Sequence, residues 1–550
     1  MTSSQYTKGE YFFDIHPPLG KYGLLLVSWL VGYDADVCDY TNIADVYDER
    51  CKFLPLRLTA ASFGVATVPL VWLITRMLGG GRWAGMMAGV MYALDGLNTI
   101  ESRLILTDSQ LVFWILACAL VGLLYIQRRR AHYAATVLGR LQIAARRMAA
   151  DKSDGAPALH AHDWLAKLAA EAGLQVADAG GEGGLLPQEP PSYGTTKART
   201  EEQHRMDGHL LAELDAQQHN PRGLWITVPG AESRGTPGSV IGPVQPRLMS
   251  QQTNILWLIG VGLACGAAVS VKWTGLAAPG MLALECWFAL FFLPQAAHLP
   301  DMLVMLGSAF VFYVLNYAVH FALLPNTGDG DAFMSVEFQR TRINSTSYDP
   351  AAPAVPFWTI FWQLAKTMLT GNAGIDVRHH WESVWTQWLV NARGVLYYSK
   401  DHPDGTTDLV YLLGHPIVVW GVGIVLVAAA VWAGLAARYK HTPLGASIFG
   451  SPRDLGIVMT WCYIWYAANL LPYMGVARSC FAYHYIPALL VAEMFSAVLV
   501  ERWAGVHARS VAAYVCAVVI AVFIYFAPWV YALPLTANGH AQRRWMSGWD

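Results

Sequence analysis

Apolar residues run in long, nearly unbroken blocks along this chain, and polar residues collect between the blocks. A helix needs about 20 mostly apolar residues to cross the hydrocarbon core of a bilayer. Ten blocks predict such spans, at about residues 56–77, 83–97, 108–127, 254–271, 273–293, 302–323, 415–436, 456–474, 482–500 and 510–533. The second of them is short. Gly85 with Gly89, and Gly262 with Gly266, carry the small-residue spacing that lets helices approach closely. The apolar stretch Gly20–Val31 is too short to span and predicts a helix lying at the interface or packed inside the protein. The fold class is therefore an all-α polytopic membrane bundle with loops.

Composition supports this. Of 550 residues, 55% are hydrophobic and 14% charged, against about 25% charged in an ordinary soluble domain. Net charge is −2, and no basic stripe with interleaved aromatics suggests nucleic acid. The 22 Trp and 25 Tyr fit aromatic belts at the membrane interfaces. Five of the eight cysteines, Cys118, Cys265, Cys286, Cys462 and Cys516, lie in apolar runs and read as small buried hydrophobes. Cys38 and Cys51 share one polar loop, where pairing requires an oxidising lumen. No His, Asp or Glu cluster has a convincing metal geometry, so no metal or other cofactor is expected.

Lys and Arg set the orientation. Arg76 and Arg82, the run from Arg128 to Arg147, Arg438 to Arg453, and Arg502 with Arg509 fall on one side under strict alternation, the cytosolic one. The other side holds 1–55, the turns near 98–107, 271–273 and 475–481, the long loop 324–414 and the C-terminus. It also holds a glycosylation sequon, Asn344-Ser345-Thr346. The expected organisation is an N-terminal membrane part at 1–130 with three spans, a cytosolic and mostly disordered insert at 131–252, three spans in 253–323, a lumenal loop at 324–414, and four spans in 415–550. The insert is Gly-, Pro-, Glu- and Gln-rich after an Ala- and Arg-rich start, and reads as a spacer.

Polar groups beside a bilayer are costly and mark function by default. Here they gather on the lumenal side: Asp14, His16 and Lys21 before the first apolar stretch; Arg57 at the start of a span; Asp95; Glu101, Arg103 and Asp108 around a turn; Lys272; Glu337 and Gln339; Arg478 and His484. Arg binds phosphate bidentately. A phosphate leaving group needs preorganised cations, and an incoming hydroxyl needs a carboxylate base. Residue chemistry alone thus proposes transfer from a polyprenyl-phosphate donor. Taken singly each residue has a plainer reading: an arginine at a span end is an ordinary snorkelling anchor, His16-Pro17-Pro18 a rigid turn, and Asp95 a helix cap. A secondary transporter would show inverted repeats and charges near the midplane, and neither is seen.

These residues sit in strings that resemble the protein O-mannosyltransferases, membrane glycosyltransferases of the GT-C type. The strings are YFFDIHPPLGK (Tyr11–Lys21), Pro55–Trp72, ALDGLNTIESRLILTDSQLVFW (Ala93–Trp114), GAAVSVKWTGL (Gly266–Leu276), SVEFQ (Ser335–Gln339), Leu412–Gly421 and Asn469–Leu489. The resemblance implies eleven spans, of which the ten here match the last ten. It implies an endoplasmic-reticulum membrane enzyme with a lumenal active site. Such an enzyme transfers mannose, with inversion, from dolichyl-phosphate-mannose to Ser or Thr hydroxyls of secretory proteins, as a homo- or heterodimer with a family member. Arg57, Lys272, Arg103 and Arg478 become candidates for the donor phosphate. Asp14, His16, Lys21, Glu101, Asp108, Glu337, Gln339 and His484 are family-motif candidates. Three departures stand out. The family's Asp-Glu pair, which supplies the catalytic base, would fall just before Met1, with the first span, so an N-terminally truncated chain is expected. The alternative is a catalytically inactive partner subunit. The loop 324–414 is too short for the β-trefoil MIR domain of eukaryotic members, and its His379–Val390 segment is closer to members without one. The insert at 131–252 is atypical.

Overall fold

The computed structural model describes residues 2–38, 46–150, 251–292, 299–374, 378–439 and 453–549. Helices fall at every predicted block. After a helix at Leu19–Val31 (α1) come Phe53–Met77 (α2), Arg82–Ala93 (α3), Gly96–Arg103 (α4) and Asp108–Ala150 (α5). Gln251–Val271 (α6), Ala277–Phe292 (α7), Leu299–Leu323 (α8) and Phe357–Ala373 (α9) follow. Pro416–Tyr439 (α10), Arg453–Leu470 (α11), Ile486–Ala504 (α12) and Ala508–Tyr531 (α13) complete the bundle.

Among the described residues six stretches are long and apolar enough to cross a membrane: those of α2, α8 and α10, Trp273–Phe291 that takes in most of α7, Asp108–Arg129 within α5, and the 50-residue stretch Ala482–Tyr531 that contains α12 and α13. The apolar part of α6, Ile255–Val271, is shorter. α3 has 12 residues and rises about 18 Å, well under the bilayer core. The chain divides into two compact units: Met1–Leu123 with Trp257–Phe288 and Leu299–Asp550, and Leu124–Leu256 with Ala289–His298. Of the second, the described part is the continuation of α5, the first residues of α6 and the last of α7. Most of the predicted insert, residues 151–250, lies outside the described residues.

α12 lies at the heart of the first unit. Its residues Ile486–Leu499 are all buried, twelve of them apolar or Pro and two, Glu493 and Ser496, polar. The carboxylate of Glu501, near its end, accepts bonds from the backbone N–H groups of Gly81 and Trp83 (3.1 Å for Trp83) and so satisfies the free N-terminus of α3. Gly85, Gly262 and Gly266 sit at close helix contacts as predicted, whereas a Cβ on Gly89 would meet only Val68 at an ordinary 3.8 Å. A Cβ on Gly85 would lie 2.6 Å from the Trp72 ring of α2. At Gly262 a Cβ would run into Ser308 and the Met305 carbonyl of α8, and at Gly266 into the Ala309 carbonyl. Gly262→Val should therefore destabilise the protein by about 1–3 kcal/mol through overpacking. A melting curve in detergent checks this, and an unchanged midpoint contradicts it.

Cys38 and Cys51 form a disulfide with Cα atoms 5.1 Å apart. Asp95 takes the plain reading: its carboxylate caps α4 at Leu97 N–H and also accepts from His415 N–H, both at 2.8 Å. The region 324–414 is more than a loop. It holds α9 and a hairpin, Val395–Asp401 (β1) antiparallel to Thr406–Leu412 (β2), turning at Gly405 with φ +80°. A third strand, Leu535–Thr536 (β3), adds to β2.

Candidate functional site

Four breaks in the helical pattern meet at one cavity. The first is the turn before α1. Asp14 accepts from His16 N–H at 2.8 Å, and Lys21 bridges Asp14 (2.8 Å) and the His16 carbonyl (3.0 Å). Lys21 is 6% exposed, so its charge is spent on holding this turn. The second is Asp108, at the start of α5. The third is Lys272, extended (φ −149°, ψ 149°) between α6 and a short 3₁₀ turn at Trp273–Leu276. The fourth is the segment from Tyr473 to the 3₁₀ turn Ala482–Tyr485 before α12.

His16, Asp108, Lys272, Thr274, Tyr473, Arg478, Tyr483 and His484 line a cavity of about 60 Å³, room for a few waters or one phosphate-sized group. Lys272 Nζ donates to both Asp108 oxygens, at 2.8 and 2.7 Å, and sits 5.8 Å from the centre of the Tyr483 ring. Burial, then the Lys272 charge, pushes His16 down to about 4, so it is neutral at pH 7. Glu101 is 2% exposed, accepts from Tyr397 O–H at 2.6 Å and feels the charge of Asp108. Burial first and Asp108 second raise it to about 8.

Arg478 differs from these. Among the described residues its guanidinium has no ion-pair partner. Its loop is instead clamped from the neighbouring segment: Ser479 O–H donates to Glu382 at 2.6 Å and Ser383 N–H to the Cys480 carbonyl at 2.8 Å. His484 Nδ1 meets Phe481 N–H at 3.1 Å, and its ring stacks on Tyr483 at 4.4 Å. An unpaired guanidinium beside a paired ammonium is an anion-binding arrangement.

Other sequence candidates go elsewhere. Arg57 lies over Phe53 and Tyr47, at 5.2 and 5.8 Å from the ring centres, and its Nε is buried without a bond. Arg103 donates to the Val530 carbonyl and lies 4.7 Å from the Tyr531 ring centre. Burial lowers its pKa, and so does the Arg57 charge, so the two arginines are near each other but do not line the cavity. Glu337 is exposed on a short helix capped by Ser335, and Gln339 donates to the Asp331 and Met334 carbonyls at 2.9 and 3.0 Å. Neither lines the cavity. Asn344 is exposed, in a left-handed turn with φ +65°. A larger pocket of about 240 Å³ beside Arg342 and Asp349 carries no comparable set, because Arg342 is bonded to the Leu324 carbonyl and stacked on Phe338. Sequence reading missed Tyr397, Tyr483 and the Glu382–Ser479 clamp. Tyr483 was within reach as a neighbour of His484, whereas nothing in the pattern marks the other two.

The described residues form a polytopic helical bundle with a cavity among its helix ends, lined by Lys272, Arg478 and His484. Residues 1–142 match the family described as dolichyl-phosphate-mannose-protein mannosyltransferase. Residues 357–549 match the C-terminal four-span region of protein-O-mannosyltransferase. The chain belongs to the protein O-mannosyltransferase family. Dolichyl-phosphate-mannose–protein mannosyltransferase 1 of Saccharomyces cerevisiae is 36% identical over 115 residues, 21% of this chain and 14% of that protein. Mannosyltransferase 4 of Candida albicans is 34% identical over 111 residues, 20% of this chain and 15% of that protein. These alignments thus span about a seventh of the relatives' length. The fold is shared with the S. cerevisiae Pmt1-Pmt2 complex bound to the sugar donor, at TM-score 0.65 and 16% identity, over 100% of this chain and 88% of that one.

Proposed function

We propose that the cavity receives the phosphate of dolichyl-phosphate-mannose, and that the chain acts in transfer of mannose to Ser or Thr hydroxyls of secretory proteins at the lumenal face of the endoplasmic-reticulum membrane. The observation that carries this reading is the unpaired Arg478 guanidinium converging with Lys272 and His484 on one phosphate-sized space. In that reaction the C1–O bond to phosphate breaks, and negative charge builds on the departing phosphate. Fixed cations stabilise that charge without reorganising. The family membership supports the reading, and the relatives named above carry this activity in their names.

The acceptor hydroxyl must also lose a proton, and among the described residues no carboxylate of the site is free to take it. Asp108 is paired with Lys272, Asp14 with Lys21, and Glu101 is held protonated and bonded to Tyr397. This favours a second reading, in which the chain is a dimer partner that supports catalysis by a sister subunit. The experiment is transfer of radiolabelled mannose from the lipid donor to a Ser/Thr peptide, by the purified full chain alone and co-purified with a family member. Transfer by the chain alone supports the first reading. Transfer only with the sister supports the second. No transfer in either case, with donor present and protein folded, overturns both.

A further inference from the structure

Glu101 does not line the cavity, but it is buried beside Asp108, which does. The hairpin register runs Leu396 opposite Tyr411 and then Tyr398 opposite Val410. Tyr397 is therefore the extra residue of a β-bulge. A bulge re-aims one side chain off the strand, and here the Tyr397 hydroxyl reaches α4 and donates to Glu101 at 2.6 Å. The other groups acting on Glu101 are Asp108, through charge and a hydrogen bond, and Lys272. From the turn before α12, Tyr483 also faces it, and His484 faces the Asp108 beside it. Two carboxyls thus share one ammonium. Asp108 holds Lys272 directly, and the bulge holds Glu101 in place without offering it a cation.

We propose that Glu101, held by Tyr397 beside the Asp108–Lys272 pair that lines the cavity, is a positioning residue that sets the charge a phosphodiester meets there. This rests on the phosphate-binding reading above. With Asp108 and Lys272 paired, ionisation of Glu101 adds a second negative charge beside them, which opposes a bound phosphate. The carboxyl keeps its proton to about pH 8, so donor affinity is full below that pH and falls above it. The same shift makes folding stability fall as pH rises toward about 8, because the folded chain holds a proton the unfolded chain has released.

The test is donor affinity of the full chain in lipid nanodiscs between pH 6.5 and 9.5, with a polyprenyl-phosphate-mannose as probe. A phosphodiester keeps one charge over that range, so any slope belongs to the protein. Wild type should bind about tenfold more weakly at pH 9 than at pH 7. Glu101→Gln, neutral at every pH, should lose that slope. Tyr397→Phe removes a bond that lowers the Glu101 pKa, so its alkaline limb should move to higher pH. Infrared titration supplies a direct readout: a protonated-carboxyl band that vanishes near pH 8 in wild type and is absent in Glu101→Gln. An equal pH slope in wild type and Glu101→Gln, or a carboxyl band that titrates without any change in affinity, overturns the inference and leaves phosphate binding standing. No donor binding by wild type at any pH overturns both.

Discussion

Lys272→Ala is expected to cost about 3–5 kcal/mol of stability and to abolish donor binding. Lys272 and Asp108 are 13% and 12% exposed, with Nζ 2.7 and 2.8 Å from the two carboxylate oxygens. Removing one member of such a pair leaves an uncompensated buried charge, which costs far more than the pair itself contributes. Among the described residues no other ammonium is bonded to Asp108. Adding Asp108→Asn should therefore recover part of the lost stability, since it removes the stranded charge, but not the binding. Thermal melting in detergent alongside donor titration measures both. An unchanged melting midpoint in Lys272→Ala contradicts the account of the pair.

Arg478→Ala separates binding from folding. Its guanidinium has no ion-pair partner among the described residues, and its loop is held by Ser479 and Cys480 rather than by its own side chain. The substitution should leave the melting midpoint nearly unchanged. It removes a charge-assisted contact worth about 1.5–3 kcal/mol, so donor affinity should fall by about 10- to 100-fold. Arg478→Lys should restore only part of it, because a point charge cannot replace the planar fork. Wild-type affinity in Arg478→Ala contradicts the assignment.

The bundle was legible because span length is dictated by the bilayer and needs no knowledge of neighbours. Gly262 and Gly266 announced a close helix contact for the same reason: their spacing is local. The site was legible as a face. His16, Asp108, Lys272, Arg478 and His484 all sit at edges of apolar runs, and edges on one side of a membrane lie at one level. That reasoning fixes depth and not lateral position. Glu337, Gln339, Arg57 and Arg103 were at equally good edges, yet they lie outside the cavity. Nor could an edge position show which charges are already spent: Lys21 and Lys272 look alike in sequence, and each proves to be paired with a carboxylate. The hairpin escaped because its strands are stabilised by each other and by Leu535–Thr536, far along the chain. Tyr397 escaped because its role depends on a one-residue irregularity of register, for which no residue pattern exists.

The central claim is that the donor phosphate sits at Arg478 and Lys272. An electron cryo-microscopy structure of the full chain in a lipid nanodisc with dolichyl-phosphate-mannose tests it most directly. The account predicts phosphate density within hydrogen-bonding distance of Arg478, with Lys272 and His484 around it and the polyprenyl tail leaving toward the bilayer. Density for the phosphate beside Arg57 and Arg103 instead, with the cavity at Lys272 unchanged, would contradict it.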